Sequence, residues 1–321
     1  MRFKMPSNEE SSNASESRFA LFRRFVFSPY LAAVIAMFFW AGSTVLVRYV
    51  REEVPPMGLS FWRSLVGFLL LLPFALYPLR QQSHLIRENW KILLFLAFLL
   101  MVGGNAILFL SLQYTIAINA AVINSFEPII IIVLAWLLFR YPFSRRQGFG
   151  VAVSLMGVLV LISTGSLDVL AQMDFNQGDL LVTGAYVSWG LYAVMLRKVP
   201  RGLDQRITLL CILGFGTILM LPIYLYEASS VRPTNFTWVT INSVVWLAIF
   251  SSVLSILLWN YAISKVGAGR AGLFIHLIPA FTVIMAIFLL GEEFRQFHLT
   301  GIALIFIGIY FSSRQPGRQS D

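Results

Sequence analysis

Three ionisable side chains, Arg63, Glu127 and His276, stand inside long apolar runs. Charge is costly there, so each is by default a functional candidate. Pro128 follows Glu127, and a proline leaves the carbonyl four residues back without its donor, which makes the local backbone polar and bendable. A carboxylate beside such a hinge suits a gated site that takes a coupling proton. A structural ion pair or a wet crevice is the plainer reading. Arg63 presents a planar fork of donors that fits a bound carboxylate. It also fits a pair with Glu127, because helix rise puts the two about 9 Å and about 16 Å below the outer ends of their runs. A third reading has it reaching outward to water. His276, three residues before Pro279, can hydrogen-bond a bound molecule or relay a proton near neutral pH, or it can be a satisfied packing residue.

A softer set surrounds these. Tyr186 and Trp189 are one helical turn apart, and Trp40 lies 149 residues before Trp189. Such rings can line a cavity for planar or apolar molecules, or pack between helices. Asn105, Asn124 and Asn260 are amides in apolar surroundings; they can bind substrate or join helices. These nine residues, Trp40, Arg63, Asn105, Asn124, Glu127, Tyr186, Trp189, Asn260 and His276, form the candidate substrate-binding set.

Nothing in the sequence supplies an enzyme's machinery. No phosphate-binding loop of the Walker type occurs, so no ATP-driven step is expected of this chain. His84, His276 and His298 fall in different segments with no paired metal-ligand spacing. Gly267-Ala268-Gly269 occupies a short turn, not the strand-to-helix turn of a dinucleotide site. The single cysteine, Cys211, rules out a disulfide within the chain. No cofactor is expected.

The elements that must hold these side chains are membrane helices. The chain is 58% hydrophobic and 12% charged, against about 25% charged residues in soluble domains, which makes lipid the expected solvent. Ten apolar runs, over 30–50, 57–77, 91–113, 116–139, 147–164, 179–196, 207–226, 241–263, 269–290 and 298–312, each approach the length that crosses a bilayer as a helix. Lysine and arginine set the orientation. With the N-terminus inside, 19 of them fall in inside segments and 4 outside, with Arg63 within a span. The net charge of +9 thus belongs to a topology with both termini cytoplasmic, not to a nucleic-acid surface. Residues 1–28 read as a disordered cytoplasmic tail and 314–321 as a second one.

The chain also repeats. Trp40 and Arg48 have the spacing of Trp189 and Arg197, Gly67 and Pro73 that of Gly216 and Pro222, and Pro128, Gly150 and Gly157 that of Pro279, Gly301 and Gly308. The offsets are 149, 149 and 151. Two units follow, 29–165 and 178–313. With five spans each, the second would lie upside down relative to the first, the arrangement that suits alternating access. The predicted fold is therefore an all-α integral membrane protein of ten transmembrane helices in two inverted five-helix repeats.

In Phe61-Trp62-Arg63, Ala120-Ala121, Pro128, Arg145-Arg146-Gln147, Gly150 and Gly157, and again in Ala271-Gly272, Pro279, Gly291-Glu292, Gly301 and Gly308, the chain resembles the EamA-type carriers of the drug/metabolite transporter superfamily. The resemblance runs over about residues 30–313. It implies a central cavity between the halves, a bacterial inner (plasma) membrane location, and export of amino acids, related metabolites or drugs, driven by an ion or substrate gradient. A flippase for lipid-linked sugars or other amphiphiles is the alternative. The expected partners are a small-molecule substrate, the lipid bilayer and a coupling proton; oligomeric state is open. Two features depart from the family pattern: Arg140-Tyr141 stands where the second half has Gly291-Glu292, and Glu127 precedes Pro128.

Overall fold

The computed structural model describes residues 28–50, 53–111, 114–115, 117–142, 144–172, 174, 176–290 and 293–313. Apart from Ser28, the tails expected over 1–28 and 314–321 lie outside the described residues, as does the Gly291-Glu292 pair. Among the described residues all ten apolar runs are mainly helical, and there is no strand. Lipid offers no partner for backbone N–H and C=O groups, so a spanning segment must satisfy them within itself, as a helix does.

The helices are α1 (Pro29–Val50), α2 (Pro56–Gln81), α3 (Ser83–Ala97, Phe98–Ala106 and Ile107–Ser111), α4 (arms Ala117–Ser125 and Glu127–Phe139) and α5 (Arg145–Ile162). After a five-residue helix, Leu167–Ala171, come α6 (Gln177–Met195, with a 3-10 turn at Leu196–Lys198), α7 (Gln205–Ser230), α8 (Trp238–Trp246, Leu247–Leu254 and Ser255–Val266), α9 (Ala268–Gly272, Leu273–His276 and Leu277–Leu290) and α10 (Gln296–Ser313). Among the described residues, seven helices are long and apolar enough to cross a membrane; the two arms of α4, bent by 41°, make an eighth span if counted together. The protein is thus a multi-pass membrane protein. Its outward apolar side chains fit a lipid surround: Phe74, Leu180 and Phe288 are 70%, 75% and 82% exposed.

Local chemistry sets the helix ends. Ser144 and Gln147 form a capping box at the start of α5, and Asn176 and Asp179 do so at α6. The Asp179 carboxylate also accepts from Thr115 and Asn119, tying the start of α6 to that of α4. Asp204 caps α7 and takes hydrogen bonds from Arg206, which hold its carboxyl below the ordinary carboxylate range.

Packing follows the repeat. Helix α2 lies along α7 and α5 along α10; α1 packs on α8 and α9, as α6 packs on α3 and α4. Gly150 faces Gly308 while Gly157 faces Gly301, so α5 and α10 run antiparallel. A Cβ on Gly157 would stand 2.6 Å from the Gly301 carbonyl oxygen, and one on Gly301 would stand 2.9 Å from that of Gly157. Only glycine permits this approach. Helices α2 and α7 are antiparallel too: Glu227 accepts from the Met57 and Gly58 amides at one end, and the Gln82 side chain accepts from the Asp204 amide at the other.

Helices α3 and α8 each contain a π-helical stretch, Phe98–Ala106 and Leu247–Leu254. Their first residues are 149 apart, the repeat offset read from the tryptophans. Such stretches shift the face a helix presents and often mark functional sites. Helices α4 and α9 each break just before their proline. In α4 the Phe126 amide turns back to the Ile123 carbonyl, and the Ile129 and Ile130 amides both bond to the Phe126 carbonyl. In α9 the break is the 3-10 turn Leu273–His276.

Candidate functional site

A polar group in the interior begins at Ser251, in the π-helical stretch of α8. Its carbonyl accepts from Trp40 Nε1 at 3.3 Å, and its hydroxyl lies 3.5 Å from an Arg63 terminal nitrogen. The Trp40 ring meets Trp189 edge-on at 5.8 Å and Trp259 at 5.7 Å. Trp189 in turn lies 6.4 Å from the Tyr192 ring, whose hydroxyl donates to Asn260 Oδ1 at 3.0 Å. The structure thus links Arg63, Trp40, Trp189 and Asn260 of the candidate set into one chain of contacts. That chain crosses from one half of the sequence to the other through α2, α8, α1 and α6.

The group holds more donors than it uses. Arg63 Nε and Asn260 Nδ2 are buried without partners. Among the described residues no carboxylate is within ion-pair distance of Arg63. An unpartnered buried donor costs about 1–3 kcal/mol, more when charged. Such a cluster is therefore set up to receive an acceptor, best an anionic one.

Glu127 is elsewhere. It is 8% exposed, begins the second arm of α4, and has no cation within ion-pair distance among the described residues. Tyr186 lies on α6, which packs on the second arm of α4. Asn124, one turn earlier, has a buried Oδ1 without a partner. Arg63 and Glu127 are not paired: the guanidinium faces Ser251, and α4 packs on α6 and α9, not on α2. Asn105 is buried, its amide 3.6 Å from the Met101 sulfur, which also faces the Ser64 hydroxyl.

His276 belongs to neither group. It is 1% exposed, with Nε2 2.8 Å from the Ser125 carbonyl oxygen and Nδ1 2.7 Å from the Ser154 hydroxyl. Both ring nitrogens are occupied by protein.

The repeat shows what is particular here. Offset by 149 or 151, Trp40 maps to Trp189, but Arg63 maps to the buried Ile212 and Glu127 to Ile278. The Trp40–Trp189 pair respects the symmetry; the two charges break it. Sequence reading missed Ser251, Tyr192 and Trp259, although a Ser251-Ser252 pair inside an apolar run and a tyrosine one turn after Trp189 were available signals. It also missed Glu227, one residue beyond its expected span. Among the described residues no cluster of three or more His, Cys, Asp or Glu is placed to hold a metal ion.

The EamA-like transporter family matches the sequence twice, over residues 27–163 and 176–314. The chain belongs to the EamA-like transporter family. This EamA protein is 26% identical over 275 residues to an uncharacterised transporter of Bacillus subtilis, YyaM, covering 85% of this chain and 90% of the relative. It is 23% identical over 288 residues to a probable amino-acid metabolite efflux pump of Salmonella typhimurium, covering 87% and 93%. A solved crystal structure shares its fold with a TM-score of 0.76 at 16% identity, over 89% of this chain and 96% of that one. The EamA protein is a transporter and not an enzyme, and its cargo is a small molecule.

Proposed function

We propose that this EamA protein is a ten-span carrier of two inverted five-helix repeats, 29–165 and 178–313, that exports small metabolites by alternating access across a bacterial plasma membrane, with both termini cytoplasmic. The observation that carries the reading is the antiparallel packing of α5 on α10, helices that occupy the same place in the two repeats. Equivalent helices that run in opposite directions imply units of opposite orientation, and exchanging the conformations of such units moves an opening from one side to the other. The matched π-helical stretches and matched broken helices support it, since discontinuous helices in corresponding positions point to a transporter's binding site.

In this reading the cargo binds against Trp40 and Trp189. Arg63 receives a carboxylate or similar acceptor group, with Asn260 as a further donor, and Asn105 close by. Glu127, beside Tyr186 and Asn124 and free of a fixed counter-charge, takes a coupling proton that the break in α4 exposes alternately to the two sides. His276 acts at the α4–α9 junction.

Purified protein in liposomes, preloaded with unlabelled candidate compounds, tests the reading by counterflow. Accumulation of labelled carboxylate-bearing metabolites such as amino acids is expected, and removal of Arg63 lowers it strongly. Counterflow of a permanently cationic compound that is indifferent to Arg63, or translocation of lipid-linked sugar with no soluble cargo, would overturn it.

A further inference from the structure

Among the described residues, helices α4 and α9 pack closely at one end. Gly272 of α9 lies against Ile131 of α4, where a Cβ would come 3.1 Å from the isoleucine Cδ1, and Gly269 lies opposite Ile132, with 3.6 Å for a Cβ. The repeat offset of 151 predicts a second seam, between Ala121 on the first arm of α4 and Thr282 on the second half of α9. Among the described residues no comparable seam joins those two segments, and the Thr282 hydroxyl is buried without a partner. One of two symmetry-related seams is formed. Two further contacts between the group α3, α4 and α6 and the group α1, α8 and α9 fall on the same side, Tyr192 with Asn260 and Leu196–Lys198 against Ser255–Val266, while Trp40 meets Trp189 nearer the middle. By the charge distribution this is the cytoplasmic side.

His276 sits at the top of the formed seam, and its bonds follow from the break in α4. In an unbroken helix the Ser125 carbonyl would accept from the Ile129 amide, but that amide is taken by Phe126. Pro128 has no amide to offer. The Ser125 carbonyl is therefore orphaned, and His276 Nε2 supplies the missing donor. A carbonyl oxygen only accepts, so Nε2 carries the proton, and Nδ1 is left to accept from the Ser154 hydroxyl. One imidazole thus fastens α9 to the broken point of α4 and to α5.

We propose that His276, with the Gly269–Gly272 face of α9, forms the inner latch of the transport cycle: it holds the cytoplasmic side shut in the present arrangement and must release for the Ala121–Thr282 seam to close on the other side. His276 is on this account a positioning residue, which acts on the break that presents Glu127 and does not touch cargo. The proposal rests on the inverted-repeat carrier reading.

The test uses the full chain with Cys211→Ser, in proteoliposomes. Gly269→Cys with Ile132→Cys is expected to form a disulfide rapidly under a mild oxidant without cargo, and to block counterflow until reduced. Ala121→Cys with Thr282→Cys is expected to cross-link only during turnover. Adding His276→Ala, or Ser154→Ala as the gentler change, should slow the first cross-link about fivefold to tenfold, as loss of a hydrogen bond of ordinary strength does, and speed the second. A cross-linked Gly269–Ile132 pair that still transports, or cross-linking rates indifferent to both latch substitutions, would refute the latch. Absence of any counterflow in the parent would refute the carrier reading instead, while the cargo-free cross-linking rates would still judge the latch.

Discussion

The α5–α10 seam and the α4–α9 seam are both built from helices that occupy equivalent places in the repeat, yet they are made differently. In the first, Gly150 meets Gly308 and Gly157 meets Gly301, so each contact has its symmetry mate present in the same structure. In the second, Gly269 and Gly272 meet Ile132 and Ile131, while the mate of that contact is unmade. A contact whose mate is also formed can persist when the two repeats exchange conformations. A contact whose mate is missing has somewhere to go. On the proposed carrier reading, the difference puts α5 and α10 at the fixed axis and α4 and α9 among the moving parts.

The largest expected effect is on the fixed seam. Gly157→Leu should cost more than about 3 kcal/mol, the upper range for overpacking, because the bodies it meets are backbone and cannot rotate away. Loss of monodisperse protein in detergent, or a steep fall in thermal midpoint, is the readout. Gly269→Ala, with only ordinary van der Waals contact awaiting its methyl group, should leave the midpoint nearly unchanged. Equal damage from both would erase the distinction between the seams.

Next comes the asymmetric charge. Arg63→Ala should lower counterflow of a carboxylate cargo by about tenfold to a hundredfold, since a hydrogen bond to a charged group contributes about 1.5–3 kcal/mol. Arg63→Lys should fall between, keeping the charge but losing the fork. Glu127→Gln should preserve exchange while removing the response to an imposed pH gradient. A variant that couples like the parent would take the proton away from α4.

Smaller effects bear on the α2–α7 pairing. Glu227→Gln keeps one acceptor for the Met57 and Gly58 amides and should cost about 1 kcal/mol, read as a modest drop in thermal midpoint with transport intact. The Asp204 carboxyl is held below its ordinary range by Arg206. Its contribution is therefore present above an unfolded value of about 4 and fades as pH falls through the lowered one. Asp204→Asn should remove only that small acid-side dependence, because the Arg206 partner is about half exposed to solvent.

Much of the fold was legible because lipid imposes length. The run expected over 57–77 is Pro56–Gln81 and that over 207–226 is Gln205–Ser230. The overhang lies at helix ends, where polar residues such as Gln81 and Glu227 continue a helix that hydropathy alone would stop. The site was legible in residue type but not in grouping. Arg63 and Glu127 were both visible as intramembrane charges, but helix rise fixes depth and not facing, and the facing was decided by Ser251. That residue turns toward Trp40 and Arg63 in a π-helical stretch, a change of helical pitch that an apolar sequence does not announce. The two partners of His276 were hidden for a similar reason. The repeat pointed to Ser125 as its equivalent position, not as its neighbour, and the contact exists because Pro128 and the Phe126 turn free a carbonyl there.

The account turns on the two repeats facing opposite ways, and Gln81 and Ser230 test that most directly. They are exposed, end α2 and α7, and lie 149 residues apart, the repeat offset. With Cys211→Ser as background, Gln81→Cys and Ser230→Cys can each be labelled with a membrane-impermeant maleimide, in intact cells and in inside-out vesicles. The prediction is labelling from opposite sides, Ser230→Cys in cells and Gln81→Cys in inverted vesicles. Labelling of both from the same side would contradict the inverted repeat.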